Sequence, residues 1–240
     1  MRFIKLALAA LSLSLVAATA GASITNPVSN VDFRTLDKAQ PAESGNKVEV
    51  IEFFMYSCPH CNVFDPDLAD WVKAQGDNIV FKRVPVAFQA AQEPHQKLYY
   101  ALEAMGKTEE LHRKIFHAIH VERKQLNDEN AIADFVASQG VDRAKFLSAF
   151  NSFGVQAKVQ RAAQLAAIYQ VDGVPLVAVD GRFETSPSIV QAGLGNRPER
   201  ELFLGTLKVM DWLVAKAAKE HKPQTGAVPA KPAKASIAKK

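Results

Sequence analysis

Val48-Glu49-Val50-Ile51-Glu52-Phe53-Phe54-Met55-Tyr56-Ser57-Cys58-Pro59-His60-Cys61 decides how this chain is read. Val48 to Tyr56 is an apolar, β-branched and aromatic run that reads as a buried strand. Asn62 to Gly76 reads as a helix, with Pro66 inside it as a point of kinking. Cys58 therefore stands at a helix N-terminus, where unpaired N–H groups and the macrodipole favour an anion. That anion is a thiolate, the reactive form of cysteine, and such placement lowers its pKa from about 8.5 into the range of roughly 3.5–7.5. Cys58 and Cys61 are the only cysteines in 240 residues, so dithiol and disulfide interconvert locally with no competing thiol. The stretch predicts a redox site.

Other uses of a CxxC fit less well. Half a zinc knuckle needs a second ligand pair, and no further cysteine exists. Haem attachment needs a histidine after the second cysteine, and residue 62 is Asn. His112, His117 and His120 are spaced by five and three, unevenly around one helix, and predict solvated histidines; no metal is expected. An inert structural disulfide remains the alternative for Cys58 and Cys61, although two cysteines are too few for a disulfide scaffold.

Outward from the motif, Asn78 to Phe88 reads as a second strand with Pro85 near its end. Strand, helix, strand is a βαβ unit, a parallel pair with a right-handed crossover. From about Gln89 to Gln170 the period becomes helical: Gln96 to Met105, Thr108 to Val121, Asp128 to Gln139, Asp142 to Phe153 and Val155 to Tyr169 carry apolar residues at three- and four-residue spacing. Asp128 and Asp142 read as N-caps, and Gly106 and Gly140 as helix ends. Leu176 to Val179 and the residues from Arg182 flank Asp180-Gly181, a hairpin turn. Glu199 to Lys219 presents an apolar stripe for packing on the sheet. There is no internal repeat.

The string Ile51 to Cys61 resembles the active-site strand and turn of the DsbA family, periplasmic thiol:disulfide oxidases with a thioredoxin fold. Gly173-Val174-Pro175 with Leu176 to Phe183 resembles that family's cis-proline loop and the hairpin after it, and the intervening helices match its helical insertion. The likeness spans about Val48 to Lys219. It implies an α/β, thioredoxin-like fold with an inserted helical subdomain: residues 23–88 and 171–220 form a discontinuous thioredoxin-like domain, and 89–170 the insertion. It implies that Cys58 is the exposed nucleophilic sulfur and Cys61 the buried resolving one, with the redox-active disulfide in place of a cofactor. Pro59 fits the first helical position, where a missing N–H costs nothing. His60 adds positive potential beside the thiolate, and Pro-His between the cysteines resembles the oxidising variant.

Glu52 is one carboxylate amid Val50, Ile51, Phe53 and Phe54, six residues before Cys58. Burial would raise its pKa, and the matching family position holds a buried acid that relays protons for the resolving cysteine; a solvent-facing Glu52 on a half-exposed strand is the alternative. Its basic partner aligns best with Arg83, with Lys82 adjacent. Val174-Pro175 would be a cis peptide against the disulfide, beside a strand edge that binds extended substrate.

Residues 1–22 read as a secretory signal peptide: Arg2 and Lys5, an apolar stretch from Leu6 to Val16, then small residues allowing cleavage after Ala20 or Ala22. The apolar core is shorter than the roughly 20 residues of a membrane span. Residues 221–240, with Ala, Pro and five lysines, read as a disordered tail. The formal net charge is +4; removing Arg2, Lys5 and those five lysines leaves the body at −3, which argues against a nucleic-acid-binding surface. The function expected is a periplasmic protein dithiol oxidase, monomeric, acting on newly exported cysteine-containing proteins and reoxidised by a DsbB-like quinone-linked membrane protein. A disulfide isomerase or reductase, or a peptide-binding periplasmic chaperone, are the alternatives. Isomerases of this type carry a separate dimerisation domain, for which Ser23 to Asn46 is too short.

Overall fold

The computed structural model describes residues 24–42 and 44–221; the signal-peptide and tail readings lie outside them, apart from His221. In chain order the elements are β1 (Arg34–Thr35), β2 (Val48–Phe54), α1 (Pro59–Gln75), β3 (Ile79–Pro85), α2 (Glu93–Ala104), α3 (Thr108–His120), α4 (Glu129–Ser138), α5 (Arg143–Phe150), α6 (Phe153–Ile168), β4 (Leu176–Val179), β5 (Phe183–Thr185), α7 (Pro187–Leu194) and α8 (Glu199–Glu220).

All seven residues of β2 are buried, as a near-continuous apolar run demands of a central strand. The sheet order is β1-β5-β4-β2-β3. β2 and β3 are parallel across the α1 crossover, with Glu52 level with Arg83, and β2 pairs antiparallel with β4, where Glu52 meets Val177. Asp180 and Gly181 carry φ of 57° and 63°, the two positive values that an Asp-Gly hairpin turn between β4 and β5 requires.

Alternation along the strands separates two cores. Val48, Val50, Val177 and Val179 pack with Phe64, Leu68, Phe203, Met210 and Leu213 of α1 and α8. Ile51, Phe53 and Ala178 pack with Leu98, Leu102, Ile115, Phe116 and Phe146 of the helices α2 to α6, which lie between β3 and β4. The α/β arrangement is the thioredoxin-like one expected, with its helical insertion.

α1 runs through Pro66 without a break. A proline there removes the bond to the carbonyl four residues back, and Arg113 of α3 supplies the missing donor: its Nη1 donates to the Asn62 carbonyl at 3.0 Å. Asp128, Asp142 and Ser152 cap α4, α5 and α6 through their side chains. Two elements had no counterpart in the sequence reading. β1 is two residues long and exposed, too short for a periodic signal. α7 has Ser186 as its cap and Pro187 at its opening, a recognisable helix start.

Gly181 has no room for a side chain: a Cβ would lie 2.3 Å from the Gln40 carbonyl oxygen. Gly181→Ala should therefore lose about 2 kcal/mol or more, combining left-handed strain with the clash. A urea midpoint equal to that of the wild type would contradict this.

Candidate active site

β2 ends at Phe54, and Met55 to Ser57 turn the chain so that Cys58 becomes the N-cap of α1. The Cys58 Sγ accepts from the Cys61 backbone N–H at 3.4 Å, and as a thiol it donates to the Val174 carbonyl at 3.5 Å. Val174-Pro175 is cis and lies against the cysteines, as expected. Both cysteines are free in the structure.

The two sulfurs have opposite electrostatics. The Cys61 thiol hydrogen-bonded to it, aided by the backbone N–H groups of Cys61 and His60 and the charge of His60, brings Cys58 from 9.0 down to about 6, against an upward push from burial. Burial pushes Cys61 well above 9.0, reinforced by its bond to Cys58 and by the charges of Cys58 and Glu52. One expectation needs correction: Cys58 is only 6 % exposed, with the Val174 carbonyl against its sulfur, and Cys61 is fully buried as expected.

Beneath the pair, Glu52 is 1 % exposed, which excludes the solvent-facing alternative. Arg83 Nε donates to Glu52 Oε2 at 3.0 Å, and its Nη2 donates to Asp65 Oδ1 at 3.2 Å. Lys82 instead donates to Glu49 at 2.7 Å. Burial drives Glu52 from 4.5 up to about 7, opposed by Arg83 and assisted by Asp65. Burial also acts upward on Asp65, but His112, Arg83 and Arg113 hold it below its usual 3.8. One guanidinium serves two carboxylates, so the trio is neutral when Glu52 holds a proton. Sequence reasoning missed Asp65, although its place one turn after Cys61 on α1 puts it on the same side of that helix.

The histidine reading is corrected in part. His112 is buried at 4 % exposure, with Nδ1 2.9 Å from the Tyr56 hydroxyl and Nε2 3.2 Å from Asp65 Oδ1. His120 is half-buried and bonds the Tyr56 carbonyl, whereas His117 is solvated. No cluster of potential metal ligands occurs among the described residues. His60, exposed at the rim, pairs with Glu199 at the start of α8. Beside it opens a groove of about 420 Å³ lined by His60, Val174, Pro175, Gln191, Leu202 and Phe203; the sequence did not disclose these walls because α7 and α8 meet the cis-proline loop only in three dimensions.

Residues 81–200 match the DSBA-like thioredoxin domain. The thiol:disulfide interchange protein DsbA of Burkholderia cepacia is 46 % identical over 205 residues, which are 85 % of this chain and 92 % of that protein. The chain belongs to the DsbA family. The DsbA of Bordetella parapertussis is 44 % identical over 86 % of this chain and 94 % of its own. A crystal structure of Pseudomonas aeruginosa DsbA, 34 % identical, superposes with a TM-score of 0.73 over 81 % of this chain and 97 % of its own. As a DsbA-family protein the chain is a thiol:disulfide oxidoreductase.

The raised pKa of Glu52 has a consequence for stability. Between about 4.5 and 7 the folded protein keeps a proton that the unfolded chain releases, so its contribution is full below 4.5 and is lost as pH rises through 7. The loss is on the order of 3 kcal/mol. Glu52→Gln should flatten this part of the stability profile when urea midpoints of both proteins, in the same redox state, are compared at pH 4.5 and 7.5. Parallel profiles would contradict the assignment.

Proposed function

We propose that the chain is a protein dithiol oxidase that donates a Cys58–Cys61 disulfide to newly exported proteins through a mixed disulfide. The observation that carries this is the split between the two sulfurs, with Cys58 near 6 and Cys61 far above 9.0. A low-pKa thiolate is a good leaving group, so a disulfide containing it is readily passed on.

In the oxidised protein a substrate thiolate attacks Cys58 Sγ. The Cys58–Cys61 bond breaks and Cys61 leaves with the electron pair, taking up a proton for which Glu52 is the nearby donor. A second substrate thiolate then attacks the substrate sulfur of the mixed disulfide, and Cys58 leaves as a thiolate. The substrate is oxidised by two electrons and the enzyme is left as the dithiol. Pro59 starts the helix that stabilises the departing thiolate, and His60 adds positive potential beside it. Val174 and Pro175, at one wall of the groove, offer backbone to an extended substrate segment.

Residues 1–22 act in this reading as a signal peptide that takes the protein to the periplasm, where disulfides persist. Residues 23–88 and 171–220 form the thioredoxin-like domain and 89–170 the insertion. The protein works as a monomer, and a DsbB-like quinone-linked membrane oxidase restores the disulfide.

Cys58→Ser should abolish disulfide donation to a reduced model protein, whereas a binding protein with incidental cysteines would keep its activity. Glu52→Gln should slow turnover without unfolding the chain, and unchanged kinetics at all pH values would exclude the relay. Pro175→Thr should accumulate mixed disulfides visible on non-reducing gels; their absence would count against Val174 and Pro175 as the substrate loop.

A further inference from the structure

Tyr56 stands two residues before the nucleophile, is 1 % exposed, and is held at both ends by one helix. His120 Nε2 donates to its carbonyl at 2.8 Å. Its hydroxyl pairs with His112 Nδ1 at 2.9 Å, and the Nε2 of the same ring lies 3.2 Å from Asp65 Oδ1. Phe116 lies between the two histidines, its ring 5.1 Å from Tyr56 and 6.1 Å from His120. The spacing 112, 116, 120 sets all three rings on one face of α3.

Packing alone does not call for this. An apolar face on α3 would bury Tyr56 without desolvating two imidazoles, and polar groups are costly to bury unless they are bonded. What the bonds secure is the turn between β2 and α1. Its residue Met55 bears on both cysteines: its carbonyl accepts from the Cys58 N–H at 3.1 Å, and its backbone N–H acts to lower the pKa of Cys61.

We propose that His120, through the Tyr56 carbonyl, is a positioning residue for disulfide exchange, with His112 anchoring the same tyrosine at its hydroxyl. Together they tie the helical insertion to the turn that sets Cys58 at the end of α1. This rests on Cys58 being the nucleophile but not on the direction of exchange.

The test is the thiolate absorbance of Cys58 as a function of pH in the reduced full-length protein. His120→Leu, which deletes the donor, should move the Cys58 titration upward by roughly half a unit and slow its alkylation at pH 6. His120→Gln, whose amide nitrogen reaches about as far as Nε2, should restore both. If the leucine variant does not fold, His120→Asn, polar but too short to reach the carbonyl, takes its place. A Cys58 titration identical to wild type with only a lowered melting temperature, or a Gln variant no better than the Leu or Asn one, would overturn the proposal. Loss of oxidase activity with an unshifted Cys58 would count against it equally, since the titration reads the sulfur without reference to substrate.

Discussion

A negative charge on Cys58 lies where the first turn of α1 has N–H groups without helical partners, while the same charge on Cys61, three residues on, would lie in a fully buried site. That asymmetry depends on β2 delivering the chain at the right point and angle. The strand is buried along its whole length, so its register is set from both faces. Val48 and Val50 point into the core under α1 and α8, and Ile51 and Phe53 into the core under the insertion. A slip of one residue would exchange those faces and remove Glu52 from beneath the sulfurs.

Burying acids under a redox centre is expensive unless the charge is shared, and the molecule shares it through one arginine. Arg83 is placed opposite Glu52 by the parallel register of β2 and β3, and it reaches Asp65 on the helix that carries the cysteines. Burial works against the guanidinium's own charge, but Glu52 and Asp65 outweigh that and keep it protonated. Strand, crossover helix and second strand thus each contribute one member of the trio. Glu52 is the member left with a pKa in the working range, because Asp65 has His112 and Arg113 besides Arg83.

Much of this was legible in the sequence, and the residues that were not share a physical reason. The βαβ unit, the five helices of the insertion and the Asp180-Gly181 turn follow from periodicity and turn chemistry, whereas the burial of Glu52 is decided only by the covering of both faces of β2. Arg83 could be placed only up to its neighbour Lys82, because the choice depends on which side chain of β3 faces α1. Asp65 and His112 were invisible as partners: one looks like an ordinary helix acid and the other like one of several surface histidines until α1 and α3 pack together. The same holds for Glu199, 139 residues from His60, which it meets at the groove. Contacts of that separation have no local pattern to betray them.

The central claim is that the geometry makes the dithiol the favoured state of this pair. Equilibrating the purified protein, without residues 1–22, against a graded series of reduced and oxidised glutathione measures this most directly. The account predicts that Cys58 and Cys61 stay largely reduced in buffers where an ordinary structural disulfide would already have formed; a pair that is oxidised even in strongly reducing buffers would contradict it.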